Sequence, residues 1–149
     1  MQVRELGHIV LYVRDLERSR RFYRDILGWR EIALWGNRGA LFSSGRTHHE
    51  LLLLEVGPDA QPIPQGKRVG LYHFGLKIGD SDEDLREAVR VLREHGVPIV
   101  GTADHRVTHS VYILDPDGNE IELYVDVVPP EVWLRDPQAI LAPVRPLAL

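Results

Sequence analysis

The chain has 149 residues, 44% apolar and 27% charged, with a formal net charge of -4 at pH 7, a composition that suits one soluble globular domain with a sizeable core. The absence of a basic tract or stripe argues against nucleic acid as a partner, and zero cysteines exclude a disulfide framework, a thiolate metal site and a Cys nucleophile. No apolar run reaches membrane-spanning length and no signal peptide precedes the first strand, so no membrane role is expected and a cytoplasmic location is.

The first expected element is a strand over Leu6–Val13, LGHIVLYV. On strand alternation His8 shares a face with Val10 and Tyr12, while Ile9, Leu11 and Val13 share the other. Asp15 is placed to N-cap a helix running to about Leu27, with Leu16, Tyr23, Ile26 and Leu27 as its apolar stripe and Gly28 as its stop. Short strands follow near Arg30–Trp35, Ala40–Ser43 and His49–Val56. Residues 57–69, GPDAQPIPQGKRV, read as a linker.

The pattern then restarts. Tyr72–Ile78 is an expected strand containing His73, Asp80 or Ser81 caps a helix carrying Leu85, Val89 and Leu92, and Gly96 stops it before a strand at Val97–Val100. Asp115-Pro116-Asp117-Gly118 is a strong turn signal, so Ser110–Leu114 and Glu120–Val125 form a hairpin. Glu120, Glu122 and Tyr124 fall on one of its faces, and Ile121, Leu123 and Val125 on the other. His8 and His73 are 65 residues apart, as are Leu11 and Leu76, Val13 and Ile78, and Asp15 and Asp80. One offset shared by four pairs indicates an internal βαβββ duplication.

The expected fold is therefore α+β, with two βαβββ modules pairing into a cup-shaped mixed sheet within a single domain, 1–149. Module one covers about 5–56, the linker about 57–69, module two about 70–126, and a Pro-rich tail 127–149. The tail has a short helical stretch around Glu131–Leu141. His8, His73 and Glu122 fall on the faces expected to line the hollow. Two imidazoles and one carboxylate are the ligand set of non-haem Fe(II) oxygenases, with positions left open for substrate and oxygen, and the same set suits Mn(II), Zn(II) or Ni(II). Packing alone gives no reason for His at the equivalent place in both halves. Glu120 is the rival carboxylate, but it lies nearer the turn and is expected to be solvated. Lys77 falls by parity on the same face, which calls for a carboxylate partner or a position beyond the rim.

HIVLYVRDLERSRRFYRDILGW in the first half, and YHFGLKIGD with YILDPDGNEIELY in the second, resemble the vicinal-oxygen-chelate superfamily of glyoxalases, bleomycin- and fosfomycin-resistance proteins and extradiol dioxygenases. The likeness runs from about residue 5 to 126, and it implies the paired βαβββ fold and metal ligands at His8, His73 and Glu122. Residues 103–122 look most like the extradiol dioxygenase signature, filled here by His105, Val111-Tyr112, Asp115-Pro116, Gly118 and Glu122. Ala103 departs from it, standing where Gly, Asn, Thr, Ile or Val is usual. The THHELLLL segment resembles the region where such enzymes keep a histidine beside the metal site, which falls on His49.

What the resemblance implies is an Fe(II)-dependent, catechol 2,3-dioxygenase-type enzyme that cleaves an aromatic diol with O2. His49 would act as an acid/base, and His105 and Tyr112 would orient substrate and stabilise oxyanion charge. His109 breaks the signature spacing and reads as structural. Relatives of this kind are commonly dimers, so a homodimer is expected. Two other readings share the fold: an isomerase, epimerase or thiol transferase using another divalent metal, and a non-enzymatic antibiotic-binding protein.

Overall fold

The computed structural model describes residues 1–149, which divide into two compact units, Met1–Ile63 and Pro64–Leu149. The division falls inside the stretch expected as a linker. In the first unit, β1 (Ile9–Val13) leads into α1 (Leu16–Arg20), and β2 (Glu31–Trp35), β3 (Gly39–Phe42) and β4 (Leu51–Glu55) follow. These four strands make one sheet in the order β1-β4-β3-β2, with β1 and β4 parallel and the other pairs antiparallel.

The second unit repeats the plan. It contains β5 (His73–Gly79), α2 (Asp82–Glu94), β6 (Ile99–Asp104), β7 (Thr108–Leu114) and β8 (Glu120–Asp126). The sheet order is β5-β8-β7-β6, again with one parallel pair, β5 and β8. The βαβββ duplication and the α+β class are thus both realised. No helix is long and apolar enough to cross a membrane.

Each sheet packs one apolar face under its helix. In the second unit α2 packs on β8, and Ile121, Leu123 and Val125 of the strand and Leu85, Val89 and Leu92 of the helix are all buried. Ser81 caps α2 by accepting from the Asp84 N–H, and Gly96 takes the positive φ that ends it. In the first unit, Asp15 accepts from the Arg18 N–H as expected.

The helix after Asp15 differs from expectation. Beyond α1 the backbone widens into a π-helical stretch, Arg21–Ile26, and the Leu27 N–H reaches Phe22 O at 3.0 Å. A wider turn advances each residue through a smaller angle, so the adjacent Phe22 and Tyr23 both point inward and are buried. Tyr23 packs against Trp29 and Phe42, while Ile26 and Leu27, expected in the stripe, are only half-buried. The first strand also starts later than expected, leaving His8 just ahead of β1, and β6 runs on to Asp104 rather than ending at Val100.

The tail forms α3 (Pro130–Arg135) and a 3-10 turn, Pro137–Leu141. Its last residues then lie along β6, the edge strand of the second sheet. Asp104 and Arg145 exchange backbone hydrogen bonds of 2.9 Å in each direction, and the Thr102 hydroxyl donates to Leu147 O at 3.0 Å.

Candidate active site

The chemistry-bearing face of the second unit is set by one turn. Asp115 is buried, and its carboxylate accepts the backbone N–H of Asp117 (2.9 Å) and of Asn119 (2.8 Å) and the Asn119 side-chain amide (2.8 Å). Gly118 supplies the positive φ. This turn fixes the β7–β8 register, which places Tyr112 opposite Glu122 and Ser110 opposite Tyr124. On the other side of β8, His73 pairs with Glu120 and Gly75 with Glu122. Gly75 gives room there: a Cβ on it would lie 3.3 Å from the Tyr124 ring and 3.9 Å from Glu122 Oε2.

Glu122 is the centre of the arrangement. Its Oε2 lies 3.2 Å from His73 Nε2. Its Oε1 accepts from the Ser110 hydroxyl at 2.6 Å and from the Tyr112 hydroxyl at 3.3 Å. His105 Nε2 lies 2.9 Å from the Tyr112 oxygen and 3.8 Å from Glu122 Oε1. Tyr112 has one proton, so both of its contacts are satisfied when it donates to Glu122 and accepts from His105, which requires a proton on His105 Nε2. Burial first, then the Glu122 charge and hydrogen bond, push the Tyr112 hydroxyl up to about 12, so it is a proton donor and not a phenolate at neutral pH.

His105 is aimed by its loop. Arg106 is the one non-glycine residue at positive φ (68°), a conformation that costs on the order of 1 kcal/mol or more. The Asp104 carboxylate offsets this by accepting the Arg106 N–H at 2.6 Å, and the His105 N–H is held by Thr108 O at 2.9 Å.

Three sequence expectations are sharpened or corrected. Glu120 keeps part of its carboxylate open to solvent, 22% of the side chain against 17% for Glu122, but it also faces the site, its Oε1 lying 3.6 Å from His73 Nδ1. That nitrogen is buried and has no hydrogen-bond partner. Lys77 does find carboxylates, at Asp80 (2.5 Å) and Asp126 (2.7 Å). His109 ties β7 to the start of α2 through Asp82 at 2.6 Å, a structural role. Ser110 was not singled out from sequence, although parity places it on the face of Tyr112.

The first unit holds His8 and His49. Their ring centroids are 4.4 Å apart, and His48 joins them with its Nδ1 2.6 Å from His49 Nδ1. Burial, followed by the neighbouring His8 and His48, lowers the His49 pKa, so that ring is neutral at neutral pH.

The structure contains no preformed group of three or more His, Asp or Glu side chains placed to hold a metal. The His73–Glu122 pair nonetheless fits one. Two donors each about 2.1 Å from a metal and at right angles are about 3.0 Å apart, close to the 3.2 Å between Nε2 and Oε2. The far nitrogen of His73 is left facing a carboxylate, as metal-bound histidines usually are.

A family model described as the Glyoxalase/Bleomycin resistance protein/Dioxygenase superfamily matches residues 5–123. The chain belongs to this superfamily. It is 39% identical over 131 residues to a Catechol-2,3-dioxygenase of Bacillus subtilis, covering 88% of this chain but 44% of that protein. The chain thus spans less than half the length of that relative. It is 30% identical to the Metallothiol transferase FosB of Staphylococcus epidermidis, covering 83% of each. Among solved structures, a glyoxalase/dioxygenase from Nostoc punctiforme superposes with a TM-score of 0.71 at 27% identity, covering 84% of this chain and 92% of that one.

Proposed function

We propose that this chain is an Fe(II)-dependent extradiol dioxygenase acting on a catechol-type aromatic diol and O2, with His8, His73 and Glu122 as metal ligands. The observation that carries this reading is the convergence on Glu122 of His73 from one side and the His105–Tyr112 pair from the other. A metal-binding pair alone suits many reactions. A protonated imidazole nitrogen linked to a phenol beside that pair suits a substrate whose own oxygens develop negative charge. The 39% identical relative named as a catechol dioxygenase supports the same reading.

Fe(II) bound there would supply Lewis acidity toward the two adjacent hydroxyls of the diol and an electron-donating partner for O2. Glu122 and His73 fix one edge of the site. With a diol bound, Tyr112 would turn its one proton from the long 3.3 Å contact with Glu122 to a diol oxygen, still accepting from His105, orienting the ring and stabilising the oxyanion. His49, neutral at neutral pH, is the base for the diol proton and later returns it. The carbon–carbon bond beside the diol breaks, both atoms of O2 end in the product, and a ring-opened semialdehyde leaves without any further reductant.

A second reading has its own support, since the 30% identical metallothiol transferase is matched over 83% of its length. The same ligands with another divalent metal would then activate an electrophile toward a thiol. One experiment separates the two. The protein is reconstituted anaerobically with Fe(II), then given catechol, 3-methylcatechol or 2,3-dihydroxybiphenyl in air. A yellow ring-fission product with matching O2 uptake is expected, and it is lost in Glu122→Ala. No colour and no O2 uptake with any diol would sink the dioxygenase reading and leave the transferase class leading.

A further inference from the structure

We propose that Ser110 is a positioning residue that locks the Glu122 carboxylate so that a single oxygen, Oε2, is presented to a divalent metal beside His73. The proposal rests on the reading of His73 and Glu122 as ligands.

Ser110 is wholly buried, and its hydroxyl donates to Glu122 Oε1 at 2.6 Å. That length belongs to a charge-assisted O–H···O bond, about twice as strong as a neutral one. The second donor to Oε1, the Tyr112 hydroxyl, is farther away at 3.3 Å and is shared with His105. Oε1 is thus occupied by two hydroxyls, while Oε2 faces only His73 Nε2 at 3.2 Å.

The Ser110 backbone cannot drift. β7 is paired on both edges, with Ala103 of β6 on one side and Tyr124 of β8 on the other. Without this hydroxyl, Oε1 keeps only the long Tyr112 contact, and the carboxylate is free to turn both oxygens toward a cation. Strand parity puts this residue on the face of Tyr112, but a serine in a strand carries no chemical signal until its acceptor is known.

The test uses Co(II) as the probe metal, titrated into metal-free protein and followed by visible absorbance and calorimetry. Ser110→Ala removes the donor. Ser110→Cys fills the same space with a somewhat larger side chain and a much weaker donor. Ser110→Thr keeps the hydroxyl. We expect Co(II) to bind 10- to 100-fold more weakly to the Ala and Cys variants, about the usual effect of losing a partner behind a ligand, with Thr recovering most of the loss. Infrared difference spectra on Co(II) loading should show the Glu122 carboxylate stretches drawing together in Ala and Cys, as ligation passes from one oxygen to two.

Wild-type affinity and an unchanged spectrum in both Ala and Cys would overturn the proposal. So would an affinity loss in Ala that Cys restores, because filling the volume would then be the whole effect. Failure of the underlying reading looks different: Glu122→Ala would bind Co(II) as wild type does, and the proposal would fall with it.

Discussion

Glu31 stands at the start of β2 with 14% of its side chain exposed, and Arg20 of α1 grips it through both oxygens, at 2.6 and 2.7 Å. These hydrogen bonds hold the Glu31 carboxyl below its ordinary pKa of 4.5. A group whose folded pKa is depressed stabilises the fold above its unfolded pKa and loses that contribution as pH falls through the folded value. Acidification below about pH 4.5 should therefore weaken the wild type progressively. In Glu31→Gln, thermal melts at pH 7 should show a loss of about 1.5–3 kcal/mol, the range for hydrogen bonds to charged groups, with a smaller further drop on acidification. Equal acid sensitivity in the two proteins would mean that the pair contributes nothing. At this scale the sequence is readable only in part. His73 and Glu122 are marked by the repeat and by strand alternation, His105 and Tyr112 only by the resemblance to the extradiol signature, and the four do meet in the second unit. Ser110 and the approach of Glu120 to His73 were not legible, because each depends on which neighbour lies across a strand.

Among the elements, the tail is the least expected. A Pro-rich segment has little reason to be a strand, yet Arg145 pairs with Asp104 and Leu147 O accepts from Thr102. It shields part of the open edge of β6, where unpaired backbone groups would otherwise face solvent. It also braces Asp104, whose side chain holds the strained Arg106 and so aims His105. Arg145→Pro deletes one of the two bridge hydrogen bonds, a loss of about 1 kcal/mol. Amide exchange at Asp104, whose N–H donates to Arg145 O, should then quicken by about five-fold while the α2 amides stay protected. No change at Asp104 would show that the tail does not dock in solution. The other elements were legible from caps, glycine stops and alternation. The π-helical stretch was not, because a 3.6-residue period is assumed when an apolar stripe is drawn, and Phe22 next to Tyr23 breaks it.

At the scale of the whole chain, the duplication was visible because selection for one sheet plan left the same residue types at one offset. Each unit buries its own core, and each carries part of the proposed ligand set: His8 in the first, His73 and Glu122 in the second. That division makes metal binding a thermodynamic probe. A metal that binds only folded protein stabilises it by RT ln(1 + [L]/Kd), about 4 kcal/mol at a thousand-fold excess over Kd. For a chain of this length each kcal/mol raises the melting temperature by about 2–4 °C, so saturation should raise it by about 8–16 °C, and a chelator should reverse the shift. Glu122→Ala and His73→Ala should abolish the shift by removing the second unit's donors. His8→Ala carries the sharper information. If His8 is a ligand, its loss should remove most of the shift although the His73–Glu122 pair is untouched. If His8→Ala melts with the full metal-induced shift, the second unit binds the cation without it, and the three-ligand set is wrong even though the pair is right.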